Sequence, residues 1–396
     1  MAYTSSENIA SSQHTRKYIL ILTLLFGDLV PQTVPLLELQ KKHGGNPGEF
    51  AGWITSMDYG NPIEEHIKTR TEVAVFDVSH MGRYIIKGPR VIEFLQKLVS
   101  KDIYKVSRHF MSGPVLLLNE EGGILDDVML YYVDDDVWYA VVNAPNIRKD
   151  LEWLNMWKQR LGYHDIEIED VTLNSVLIAI QGPRAPEILE ELGVGNAKDL
   201  KILQFIYKPE VLGKTAVLIS KSGWTGEEVR SYGFEIWTDI EHGKTIFEKA
   251  IKLGAKPAGL IARDTLRLEM GYLLAGVDMN ENTNPIEARY WLALSLNKEE
   301  CIGCKKVREI YEKGVSRVRV GLRLKKGLRV IPRHGCKIKA CNEVVGEVTS
   351  GAFSPTLNRS IAMGYVDVSH MYLGGKLTVE VRGREYEAKL VDFPFI

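Results

Sequence analysis

Two adjacent carboxylates behind a paired glycine, Gly122-Gly123-Ile124-Leu125-Asp126-Asp127, are the residues of this chain whose types and spacing best suit chemistry. The glycines allow a tight turn and a close approach of backbone to a ligand. The run that follows, Val128-Met129-Leu130-Tyr131-Tyr132, has the composition of a strand. Side chains alternate between faces along a strand, so Asp126 and Asp127 cannot face the same pocket. Asp127 shares its face with Met129 and Tyr131, while Asp126 is expected to meet solvent or a turn backbone. A carboxylate directed inward beside Met and Tyr is costly unless it binds a group or moves a proton. The same residues also read as a plain β-hairpin with two solvated acids, closed by Asp134-Asp135-Asp136.

The elements that must hold this hairpin belong to a soluble globular chain. Its 396 residues are 45% apolar and 26% charged, which suits two or three domains with ordinary cores. A net charge of −1 argues against a nucleic-acid binder. The charge is uneven, however: Val315 to Ile396 holds 14 Lys and Arg against 7 Asp and Glu, so that tail carries +7 and the remainder −8. Apolar spacing predicts helices from Val91 to Ser100, from Asn146 to Leu161 and from Leu260 to Leu274, and a buried strand from Asn174 to Gln181. From Val315 onward the pattern is short strands and turns, a small all-β domain. Near the N-terminus, Tyr18 to Phe26 is nearly continuously apolar but too short to span a bilayer, so no membrane association is expected. That run is a buried element, a segment outside the fold or, least of the three, a signal. Asp-Val-Ser-His-Met occurs at Asp77–Met81 and again at Asp367–Met371 with unlike flanks, so His80 and His370 are not read as a metal pair.

Four cysteines make no disulfide framework, which points to a reducing, cytoplasmic setting. Cys301-x-x-Cys304 with Cys336 and Cys341 raises zinc or a redox pair. The two halves lie in different segments, whereas zinc needs convergent thiolates. Ordinary buried or loop cysteines, and no metal, are expected.

The ordered motifs FAGW (Phe50–Trp53), FDVSHMG (Phe76–Gly82), GGILDDV (Gly122–Val128), VVNAPNIRKD (Val141–Asp150), IQGPRA (Ile180–Ala185), PAGLIARDTLRLE (Pro257–Glu269), DMNENTNP (Asp278–Pro285) and GEVTSGAFSPTLNRSIAMGYV (Gly346–Val366) resemble the aminomethyltransferase family, the T-protein of the glycine cleavage system. The resemblance implies an α+β fold: a three-domain cloverleaf of mixed and antiparallel sheets, with helices around a central folate cavity and a β-barrel-like C-terminal domain. It places a loosely packed extension at residues 1–44, a folate-binding region of two interleaved subdomains at 45–305, and the barrel at 315–396. The implied reaction moves the methylene carbon from the aminomethyl-dihydrolipoyl arm of a lipoylated H-protein, generally acidic, to tetrahydrofolate, with release of ammonia.

Residue by residue, the resemblance makes Asp127 the catalytic carboxylate, near the reacting folate nitrogen. Asn143 becomes a folate contact and Glu235 the acceptor for the pterin's amino-pyrimidine edge. Arg263 lies beside the folate, or else pairs structurally with Glu235. Met81 and Tyr272 line an apolar wall, Met129 and Tyr131 share the face of Asp127, and Trp224 offers a stacking ring. Departures cluster at the pterin site. Gly223-Trp224-Thr225-Gly226 stands where the family has Gly-Tyr-Thr-Gly, and about four extra residues precede Gly233-Phe234-Glu235. Pro114 replaces an aromatic, and Phe393-Pro394-Phe395-Ile396 lacks the arginine of the family's tail. The carrier is therefore tetrahydrofolate or an archaeal-type tetrahydropterin. Two rivals remain. A related pterin-dependent demethylase usually carries a flavin domain, but no GxGxxG is present and no flavin is expected. A non-catalytic folate-binding relative of iron–sulfur and tRNA-modification type carries K-G-C-x-x-G-Q-E, whose Gly-Gln-Glu is absent here.

Overall fold

The structure, a computed structural model, describes residues 31–298 and 300–396. The apolar run Tyr18–Phe26 lies outside the described residues. The strand Val176–Gln181 is apolar up to its last residue and buried at every position, so it needs cover on both faces. On one side Val176, Ile178 and Ile180 pack under the helices Ala185–Glu191 and Ile240–Lys252. It runs inside a six-stranded sheet ordered Phe205–Tyr207, Leu218–Ser220, Gly233–Thr238, Val176–Gln181, Ala74–Asp77 and Lys256–Pro257. All pairs are antiparallel except the last.

A second, five-stranded antiparallel sheet carries the acid pair. Its order is Met111–Leu118, Ile124–Asp134, Val137–Val142, Gly82–Lys87 and Glu167–Asp170. Alternation sorts its residues: Val128 and Leu130 pack with Phe94, Leu95 and Leu154 of the outer helices, while Tyr131 and Val133 meet Leu177, Leu218 and Trp237 of the first sheet. The two sheets therefore close on one shared core.

The C-terminal region is a closed six-stranded barrel, ordered Arg317–Leu324, Arg359–Asp367, Glu343–Ser354, Lys337–Ala340, Lys376–Val381 and Arg384–Val391. Period-two alternation in Arg317–Leu324 sends Val318, Val320, Leu322 and Leu324 inward. The helix Leu260–Met270 ties this barrel to the sheets. Leu266 enters the inter-sheet core, and Leu268 packs on Ile361 and Met363 of the barrel. Arg267 joins Asp278 at 2.7 Å and Ser350 at 2.8 Å, and Glu269 accepts from Arg70, Ser354 and Thr356.

Two expectations fail here. The extension to residue 44 is not loose in its described part. Gln32–Thr33 adds to the strand Trp53–Asp58, Leu36 is fully buried in the sheet core, and Gln40, one helical turn on, donates to Asp77. The cysteines are not all free either. Gly303, at φ 75°, turns the chain so that Cys301 and Cys304 come to a Cα separation of 5.1 Å and form a disulfide at the start of the helix Cys304–Lys313. Cys336 and Cys341 remain free thiols. Among the described residues, no helix is long and apolar enough to cross a membrane.

Candidate active site

The turn before the acid pair is built by its glycines. Gly122 has φ 80°, and a Cβ on Gly123 would lie 1.9 Å from the Glu281 carbonyl oxygen. Asn119 closes the turn by accepting from the Gly123 N–H at 2.8 Å. The strand that follows then carries its two acids into different surroundings.

Asp126 does not meet solvent; it is fully buried. Its oxygens accept from the Asn143 backbone N–H at 3.0 Å, from Asn143 Nδ2 at 2.8 Å and from Asn146 Nδ2 at 2.8 Å. Alternation did send Asp126 away from Asp127, but the far side is covered by the Ile147–Arg160 helix and the turn before it. Asp127 keeps 6% exposure. Its Oδ1 accepts from Asn143 Nδ2 at 2.7 Å, and its Oδ2 from the Tyr290 hydroxyl at 2.5 Å. Burial, then the Asp126 charge, pushes Asp127 up to about 8, against the pull of Tyr290 and Asn143. Burial also raises Asp126, and it raises Asp150 well above the carboxylate range, with Asp126 as the next cause. Asp150 accepts from no donor, and sits within hydrogen-bonding reach of Asp126. Two buried carboxyls so placed oppose each other's ionisation and titrate as a pair.

A cavity of about 830 Å³ lies against this cluster, within the range of small-molecule sites. Met81, Asn143, Trp224 and Arg263 line it, together with His80 and the barrel residue Arg333. Asn143 is thus the wall, with Asp127 behind it. The Arg263 guanidinium makes no hydrogen bond and no direct ion pair among the described residues; burial lowers its basicity while Glu235 opposes that at longer range. Glu235 accepts from Ser222 Oγ at 2.6 Å and is raised by burial, with Ser222 and Arg263 opposing. Tyr131 is fully buried beside this carboxylate, its hydroxyl without a partner, and Met129 packs half-buried in the same core.

Tyr272, like Met129, Tyr131 and Glu235, is not among the residues that line the cavity. It packs on Trp224 at a ring separation of 5.4 Å and donates to Glu228 at 2.8 Å. It therefore backs the wall rather than forming it. The reason is the stretch of extra residues before Gly233, which folds as the short helix Glu227–Arg230 and places Glu228 within reach. Three residues escaped the sequence reading. Tyr290 and Asp150 reach the acid pair from elsewhere in the chain. His80 lines the cavity with Nδ1 unpartnered, held neutral by burial and by the cations Arg263 and Arg83. Asp150 and His80 had a signal, as members of VVNAPNIRKD and FDVSHMG, and Tyr290 had none.

Two interleaved sheets and a closed barrel surround a cavity lined by an amide, guanidinium groups and apolar side chains, with buried carboxylates behind its wall, as suits a small-molecule site. Comparison with known proteins places it. Residues 36–298 match the model of the GCVT N-terminal domain, and residues 317–396 that of the glycine cleavage T-protein C-terminal barrel domain. A probable aminomethyltransferase of Aeropyrum pernix is 40% identical over 367 residues, 91% of this chain and 96% of its own length. An aminomethyltransferase of Halothermothrix orenii is 39% identical over 370 residues, 91% of this chain and 99% of its own. The crystal structure of glycine cleavage system aminomethyltransferase T from Bartonella henselae superposes with a TM-score of 0.83 at 33% identity, covering 92% of this chain and 98% of that one. The chain belongs to the aminomethyltransferase family of the glycine cleavage system and is a transferase.

Proposed function

We propose that the cavity binds a reduced pterin, tetrahydrofolate or an archaeal-type tetrahydropterin, and receives the aminomethyl-dihydrolipoyl arm of a lipoylated H-protein. The methylene carbon passes to the pterin and ammonia leaves. The observation that carries this reading is the buried Asp127, hydrogen-bonded to the wall residue Asn143 and retaining the only exposure of the acid pair. A preorganised carboxylate there orients the reacting nitrogen and stabilises positive charge as the carbon transfers. Arg263 and Glu235 offer a donor and an acceptor for a polar heterocycle, and Met81 and Trp224 offer it apolar faces. Tyr272 and Glu228 hold Trp224 in place, while Met129 and Tyr131 set the face from which Asp127 projects.

Ammonia release from an aminomethylated H-protein tests the reading directly. Turnover is expected with tetrahydrofolate or with a methanopterin-type carrier, and its absence with both overturns the proposal. Pterin binding without ammonia release favours the non-catalytic relative instead. The location is proposed to be cytoplasmic, resting on the resemblance alone now that one cysteine pair is oxidised.

A further inference from the structure

Tyr290 is delivered to the acid pair by a turn that belongs as much to the barrel as to the sheets. Asn284 Oδ1 accepts from the Ile286 and Glu287 N–H groups, and the Tyr290 N–H closes the turn on the Pro285 carbonyl at 2.9 Å. The turn is pinned from the barrel: Arg317 pairs with Glu287 at 2.8 Å, Asp392 with Arg289 at 2.7 Å, and the Arg319 N–H donates to the Glu287 carbonyl at 2.8 Å. Arg289 stands at φ 53°, a left-handed conformation that costs a non-glycine residue and needs such pinning to persist. The Tyr290 ring rests in the cluster formed by Leu116, Leu118 and Ile124 of the hairpin, and its hydroxyl reaches Asp127 Oδ2 at 2.5 Å.

We propose that Tyr290 is a positioning residue for one-carbon transfer: its hydroxyl fixes the Asp127 carboxyl opposite Asn143 and favours the charged, reactive form. This rests on the reading of Asp127 as the acting carboxylate. Asn143 Nδ2 occupies one oxygen and Tyr290 the other, so the carboxylate plane is set from both sides. The phenol stays protonated, because burial and the Asp127 charge raise it well above its ordinary value. It is a donor only, and a donor to a carboxylate stabilises the ionised form. The other charged or titratable groups facing this pair are Asp126 on the same strand, Asp150 on the following helix and Arg319 on the barrel. The two acids oppose ionisation of Asp127, and burial with the Asp127 charge keeps the Tyr290 proton in place against the pull of Arg319, so Tyr290 is a direct counterweight to the acids. It also gives the barrel a role in the chemistry, through a turn that the barrel holds.

The test is Tyr290→Phe, which deletes one oxygen and keeps the ring. Rates of ammonia release are measured across pH beside Asp127→Asn and the parent. The expected result is an acidic limb of kcat moved to higher pH by about one unit, with kcat near neutrality down about tenfold and the melting temperature little changed. A limb that stays in place overturns the proposal. Should Tyr290→Phe not fold, 3-fluorotyrosine at position 290 supplies a stronger donor, and its limb must move to lower pH; a stationary limb there overturns the proposal equally. Asp127→Asn separates the two layers. If it turns over like the parent, Asp127 is not the acting group and the proposal falls with that reading. If it is impaired while Tyr290→Phe matches the parent at every pH, Asp127 stands and Tyr290 alone is overturned.

Discussion

At the scale of single residues, the acid pair divides into two different jobs. Asp126 accepts three hydrogen bonds in full burial, whereas Asp127 accepts two and keeps some exposure. Asp127→Asn is nearly isosteric, and is expected to fold, bind pterin and lose about 10²–10³-fold in transfer rate. Asp126→Asn turns one acceptor oxygen into a donor facing two other amides. It is expected to cost about 1–3 kcal/mol of stability, read as a lower denaturant midpoint. The reverse pattern, with transfer intact in Asp127→Asn and abolished in a stable Asp126→Asn, would exchange the two assignments. The acid cluster also sets a pH dependence of stability. Asp127 is raised from an ordinary carboxylate value to about 8 on folding, so the folded state binds the proton more tightly than the unfolded chain. Its contribution is complete below the unfolded value and is lost as pH climbs toward 8. Replacing Asp150 by Asn should flatten that loss, because it removes a carboxyl whose charge opposes the ionisation of Asp127. Period-two alternation made the facing of Asp127 legible in sequence. The burial of Asp126 was not, because the helix that covers it is placed by packing rather than by local pattern.

Elements tell the same story one level up. The strand Val176–Gln181 was readable from its apolar run ahead of Gly182, and the helix from Leu260 from its apolar spacing. That helix stops at Met270 rather than Leu274 because Gly271 turns left-handed at φ 75°. What the sequence hid was pairing across distance. Phe50–Trp53 is a motif by itself, yet only the structure shows that the chain before it packs too, through Leu36 and Gln40. The Cys301–Cys304 bond is a similar case, since the spacing admits a bond but only the turn at Gly303 closes it. That turn lies against the acid hairpin: a Cβ on Gly303 would come within 2.3 Å of the Asn119 carbonyl oxygen. A loop this short has little entropy to lose, so the double variant Cys301→Ser/Cys304→Ser should cost no more than about 2 kcal/mol in equilibrium unfolding. Native protein should yield two alkylatable thiols, Cys336 and Cys341, and four after reduction and unfolding. Four thiols without reductant would mean that the bond does not form in solution.

For the whole molecule the decisive asymmetry is charge. The tail from Val315 carries +7 against −8 elsewhere, and the barrel spends part of that on its own acids, as in Lys337–Glu347 and Lys339–Glu380. One segment does not. Lys325, Lys326, Arg329 and Arg333 face no carboxylate among the described residues, and Arg329 lies over the Phe353 ring at 5.7 Å. The same segment reaches the cavity, which Ile331, Arg333, His334 and Phe353 help to line. A basic edge beside the opening suits an acidic carrier protein whose arm must enter there, because unpaired surface charge steers association without needing a large apolar interface. Affinity for H-protein is therefore expected to fall as salt rises from about 10 mM to about 150 mM, as the Debye length shrinks to about 8 Å. Lys325→Glu with Lys326→Glu should weaken binding at low salt and flatten that dependence, while leaving kcat at saturating H-protein near the parent value. Titration calorimetry over a salt series decides it. Equal slopes for parent and variant would move the docking face away from this segment, and a flat response in the parent would remove electrostatics from docking altogether.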